Sequence, residues 1–126
     1  MLTRLALLMM MALPARAQEA SVTLPVIPPL PAGEAQHLLQ VLVMANVVAW
    51  NCPGVAEGTA PRLLLAGSRD LVAQQLSLDD PGLDGVQTPM LTALQKPGFC
   101  AAMGPQVAIV LDMLVFWGGS LALNRG

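Results

Sequence analysis

Tyrosine is absent from this 126-residue chain, histidine occurs once, and aromatic residues together make up 3%. Charged residues amount to 11%, against roughly 25% in soluble domains, while apolar residues reach 55%. A disordered acidic or basic tail needs low hydrophobicity and high charge, so this composition excludes one. The net charge of −2 excludes the electrostatic footprint of a nucleic-acid binder. The length allows one small domain. With one His and two Cys, little material is left for catalysis.

Residues 1–17 read MLTRLALLMMMALPARA. Arg4 sits in a short leading segment, an unbroken apolar run extends from Leu5 to Leu13, and Pro14 then breaks any helix. Ala15 and Ala17 supply the small residues of a cleavage site. This is the layout of a secretory signal peptide, cut between Ala17 and Gln18. The run is about half the length that spans a bilayer. Cleavage removes Arg4 and Arg16 and no acidic residue, so the net charge falls from −2 to −4. The expected location is the periplasm or the cell exterior.

Cys52 and Cys100 both lie in the mature region. An even cysteine count in a small exported protein reads as a structural disulfide, and two residues allow one intramolecular pairing. The chain-entropy model assigns such a bridge about 4 kcal/mol. A redox pair would stand close in sequence, as in C-x-x-C, and a zinc site would need more ligands than His37 adds.

Four prolines in residues 18–33 (Pro25, Pro28, Pro29, Pro31) prevent a helix and favour an extended arm, laid along the domain or serving as a spacer. The helical domain is expected over 34–126. Its first helix, 34–51, has Leu38, Val41, Leu42, Ala45, Val48, Ala49 and Cys52 on one face, while Val43 and Val47 interrupt the other. Pro53-Gly54 ends it. A second helix starts at Thr59-Ala60-Pro61, with Thr59 as cap, and runs to about Leu76. Residues 77–88 carry Asp-Pro-Gly and Asp-Gly turn signals, and Thr88-Pro89 starts a short helix over 89–96. A last helix is expected over 105–123. No strand-like alternation is sustained, so the fold class is all-α, a small orthogonal or bundle-like domain of three to four helices with one disulfide.

The segment 105–123 also has spanning length. Its nine Val, Ile, Leu and Phe residues contribute roughly −3 to −5 kcal/mol on an insertion scale, which Asp112 offsets by roughly +2.5 to +3.5. Asp112 faces away from Val107, Val110, Leu114, Trp117 and Leu121, which suits a helix with one wet side.

No residue set makes a convincing catalytic or metal site. His37 has no partner at triad spacing. Asp79, Asp80 and Asp84 around Gly82 and Gly85 miss the EF-hand spacing and its closing Glu, and read as turn and cap. Glu34 and Asp112 are the carboxylates inside apolar helices, with nothing to bring them together. Gly118-Gly119 reads as close helix packing.

The Asn51-Cys52-Pro53 step at a helix end, with Phe99-Cys100 supplying a second cysteine, resembles small exported helical proteins of alphaproteobacteria whose function is unknown. The resemblance spans about residues 38–100 and implies a helical fold and an exported location, with no activity attached. The expectation is thus a non-enzymatic exported helical protein, without cofactor or metal. It would act as a protein-interaction module: an accessory subunit, inhibitor or chaperone-like binder. Its surface candidates are Val43, Val47, Trp50 and Trp117. One alternative is a membrane-associated subunit anchored by 105–123. Another is a carrier of lipid or other apolar ligand, helped by Met44, Met90, Met103 and Met113.

Overall fold

The computed structural model describes residues 20–124, and the leader 1–17 lies outside them. Four helices follow one another: α1 (Ala32–Asn51), α2 (Thr59–Gln75), α3 (Asp80–Ala93) and α4 (Phe99–Phe116). Among the described residues there is no strand, and a single antiparallel bridge joins Ser21 to Asn124. The fold is a small all-α bundle closed by the Cys52–Cys100 disulfide.

α1 is the axis of the bundle and packs against the other three helices. Half of its twenty residues are buried, including Val43 and Val47 as well as most of the expected face, of which Val41 is half-buried. The helix is apolar nearly all round because it is enclosed nearly all round. The expectation that Val43 and Val47 form surface is therefore wrong. α1 begins at Ala32, two residues before the expected start, because Pro31 holds φ near −55° and its carbonyl accepts from Ala35 N–H at 2.9 Å. At the other end Pro53 holds Cys52 in extended backbone, which stops the helix.

α2 differs from expectation mainly at its start. Gly58, at φ 109°, occupies the cap position, and Thr59 is already helical with no side-chain cap bond. Ala73 is buried with Leu64, Leu65, Ser68 and Val72. The helix closes with a Schellman motif, Ser77 N–H donating to Gln74 O (3.0 Å) and Leu78 N–H to Ala73 O (2.9 Å). Ser77 stands at the left-handed position, φ 54°, that glycine usually takes.

The turn expected over 77–88 is instead most of α3. Asp79 caps it, its Oδ1 accepting from Gly82 N–H at 2.9 Å, and Pro81 sits in the first turn where a missing N–H costs nothing. Pro89, expected to start a helix, lies inside this one. Tertiary packing overrides the turn signals, since Leu83, Val86, Met90 and Leu94 recur at helical spacing and lean on the core. No residue of α3 is fully buried. Arg69 ties α3 to α2 through Gln87 Oε1 at 3.0 Å.

α4 likewise starts earlier and stops earlier than the expected 105–123. Gly98, in the left-handed region at φ 79°, lets the chain enter the helix at Phe99, and Pro105 falls inside it. The helix ends in a second Schellman motif, with Gly118 (φ 101°) at the left-handed position and Gly119 N–H donating to Leu114 O at 2.9 Å. Gly119 is also closely packed, because a Cβ there would meet Leu64 Cδ1 at 2.8 Å and Leu114 O at 2.9 Å. The segment 105–123 is thus two pieces, a helix and a returning tail.

That tail meets the proline-rich arm. Val26 N–H donates to Trp117 O, Ser120 N–H to Thr23 O and Asn124 N–H to Ser21 O, all within 2.9 Å. Val22 is buried, and Gly67 of α2 leaves room for Leu24, whose Cδ2 would lie 2.5 Å from an added Cβ. The arm lies along the domain over its described residues.

Candidate functional site: the outer face of α4

α4 is unusual in its balance of composition and burial. It runs 18 residues with mean hydropathy 1.8, yet 22% of it is buried. Val107, Val110, Leu111 and Leu114 face the core. On the opposite side Ile109 is 61% exposed and Phe116 86% exposed, with Val115 also outside. Ala101, Ala102, Pro105, Gln106, Ala108 and Asp112 complete this exposed face. Asp112 is the single charged residue between Phe99 and Phe116, so one carboxylate and the Gln106 amide are the polar groups of a mainly apolar strip. Val26, 79% exposed, adjoins the C-terminal end of the strip through its backbone bond to Trp117.

Beside the N-terminal half of α4 lies an open groove of about 600 Å³ between the 53–56 loop and the helix. Gly104 allows that loop to close on α4, since a Cβ there would stand 3.2 Å from Val55 Cγ2. Cys100, Pro105, Val107 and Leu111 are among its lining residues, and no ionisable side chain is. Such a lining can hold apolar matter but cannot transfer a proton.

The disulfide joins the two cysteines expected to pair, Cys52 at the end of α1 and Cys100 in the first turn of α4, with Cα atoms 5.5 Å apart. It fixes α4 on α1 at the end where the groove lies. The remaining surface candidates do not come together. Trp50 is 55% exposed, but it belongs to a local arrangement at the α1 C-terminus. Its Nε1 donates to Asn46 Oδ1 at 3.1 Å, and the Arg62 guanidinium stacks 4.9 Å from its ring centroid. Arg62 also donates from Nε to Ala49 O at 3.1 Å. α1 has no basic residue in its own last turn, so this cation from α2 serves its negative end. Trp117 is half-buried against the core as the residue that closes α4.

The polar candidates are equally dispersed. His37 and Glu34 are exposed near the start of α1, while Asp112 is exposed on α4. Asp79 is a helix cap, and Asp80 and Asp84 lie on α3. Among the described residues no group of three or more His, Cys, Asp or Glu side chains is arranged to hold a metal ion. Ser68 Oγ is fully buried in α2 without a hydrogen-bond partner.

Sequence reasoning assigned the inner face of α4 correctly through Val107, Val110 and Leu114, but treated the Asp112 side as simply wet. A signal was present. Ala102, Ile109 and Phe116 recur every seven residues, and Pro105 and Asp112 fall between them at the spacing of a second seam position. Comparison with protein-family models, curated proteins and solved structures returns no match.

Proposed function

We propose that the chain works as an exported, non-enzymatic interaction module, and that the outer face of α4 is its working surface for another protein. The observation that carries this reading is the exposure of Ile109 and Phe116 on a helix with a single charge. Contiguous exposed apolar area beyond a few hundred Å² marks interaction surfaces in soluble proteins. The disulfide and the leader-like segment 1–17 support an oxidising, exported setting.

A membrane-associated role is the second reading, favoured by the length and hydropathy of α4. Against it, Val107, Val110, Leu111 and Leu114 belong to the core, so moving α4 into lipid would strip the bundle. The helix is also a little shorter than the roughly 20 residues of a typical span.

The test is to express the full chain with its own leader, wild type against the double variant Ile109→Lys/Phe116→Lys. Each extract is then run on a sizing column. The wild type should elute in a complex larger than a monomer of residues 18–126, and the variant as a folded monomer. A wild type at monomer size even when the extract is cross-linked before the column contradicts the proposal, as does a variant that stays in the complex. Retention in the membrane pellet after carbonate washing would favour the second reading.

A further inference from the structure

Resting on the reading of α4 as the working surface, we propose that its partner is a second copy of this chain, bound α4 to α4 in antiparallel orientation. Three observations select that occupant. Five of the exposed residues of α4 form a seam, Ala102, Pro105, Ile109, Asp112 and Phe116, at alternating steps of three and four, with the exposed Gln106 amide beside it. This is the pattern by which two helices pack along their length. Small residues, Ala101 and Ala108, flank it, and Ala102 within it also allows close approach.

Charge then chooses the orientation. In a parallel pair in register, Asp112 of each copy would face its twin, and like charges in contact repel. An antiparallel pair crossing near residue 107 brings Asp112 opposite Ala102 of the second copy. The start of α4 has no acidic residue in its first turn and no side-chain cap. Its first-turn amides Cys100 and Ala101 have no acceptor four residues back within the helix. Each carboxylate therefore meets the positive end of the other helix, which favours it. The two Asp112 residues stand about 15 Å apart along the axis, beyond a Debye length of ~8 Å at physiological salt.

Shape agrees at the ends. The same register sets Phe116 opposite Gly98 of the second copy. Gly98 has no side chain, and nothing lies within 4 Å of where a Cβ would be. The most exposed aromatic ring of the protein thus faces open backbone. Pro105 falls opposite Ile109 in both halves of the pair, as two-fold symmetry requires.

The area sets the strength. Ile109, Val115 and Phe116 with the small residues and Val26 offer roughly 500–600 Å² of apolar surface per copy. Two copies bury about 1,100 Å², near the lower bound for a specific interface and in the range of weak, reversible contacts.

The test is sedimentation equilibrium on the chain purified after expression of all 126 residues, with circular dichroism to show that each variant stays helical. The wild type should pass from monomer to dimer over ~1–200 µM. Ile109→Glu should be monomeric throughout. Ala102→Lys, placing an ammonium opposite Asp112, should tighten the dimer about threefold or more, and Ala102→Glu should weaken it by about tenfold. Joining Ala102→Glu with Asp112→Lys should restore affinity to within about threefold of wild type. A wild type monomeric at every concentration overturns the proposal, as does a dimer indifferent to Ile109→Glu or a failure of the charge exchange to restore it. If self-pairing fails, a photoreactive residue at position 109 separates the two claims: cross-linking to a different protein in the cell overturns only the second-copy partner. No adduct at all overturns the interaction-module reading too.

Discussion

Replacing Cys52 and Cys100 together by alanine opens a covalent loop whose ends lie 48 residues apart in sequence and 5.5 Å apart in space. That loop contains all of α2 and α3 and the first two residues of α4. Loop-closure entropy for this separation comes to about 4 kcal/mol at 25 °C, a large part of the 5–15 kcal/mol that holds a domain of this size. Cys52 is buried, so loss of its sulfur adds a small packing cost in the same direction. The assay is urea unfolding followed by far-ultraviolet circular dichroism, on oxidised wild type and on the double variant. With a slope of roughly 1–2 kcal/mol/M, the midpoint should fall by about 2–4 M. Amide exchange should rise first in the 52–58 loop and the start of α4, the two places the bridge joins. A stability loss under about 1 kcal/mol would refute the reasoning, since the denatured chain would then gain little freedom from removal of the bridge.

Three further substitutions probe the packing, each read as a melting shift of roughly 4–5 °C per kcal/mol. Ser68→Ala should stabilise by about 1 kcal/mol, because it removes a buried hydroxyl without a partner and improves helix propensity; a lower melting temperature would contradict this. Ser77→Gly should stabilise by about 0.5–1 kcal/mol by relieving the left-handed backbone at φ 54°, and an unchanged melting temperature would count against it. Gly119→Ala should destabilise by about 1–3 kcal/mol, since its Cβ would press on the Leu114 carbonyl and Leu64; loss of protection at Ser120 and Asn124 amides should accompany it.

The helical class and the cysteine pairing were legible from composition and position, because exclusion of strands and an even cysteine count leave few alternatives. The end of α1 was also close, since Pro53 acts on neighbouring backbone alone. α3 and the start of α4 were misread for a common reason. Asp80-Pro81-Gly82 and Pro105 are local breakers; the stripe Leu83, Val86, Met90, Leu94 outweighs the first, and Phe99, Cys100 and Met103 the second, only once there is a core to lean on. Gly118 and Ser77 show the same limit from the other side. Both end helices through the same hydrogen-bond motif, yet glycine announces it in the sequence and serine does not.

The candidate surface was legible least. Val43 and Val47 looked exposed because a helical projection gives α1 two sides, whereas three helices close around it. Ile109 and Phe116 looked unremarkable because Asp112 between them suggests a wet face. Which side of an apolar helix remains bare depends on how many neighbours the fold provides, and α4 sits at the edge of the bundle with four inward residues.

The most direct test of the α4 surface is a scan with a photoreactive amino acid at Ala102, Ile109 and Phe116, against Asp84 and Thr88 on the exposed side of α3, in cells expressing the full chain. The account expects discrete cross-linked protein adducts at the three α4 positions and none at the two α3 positions. Adducts spread equally over both helices, or absent from α4, would contradict it.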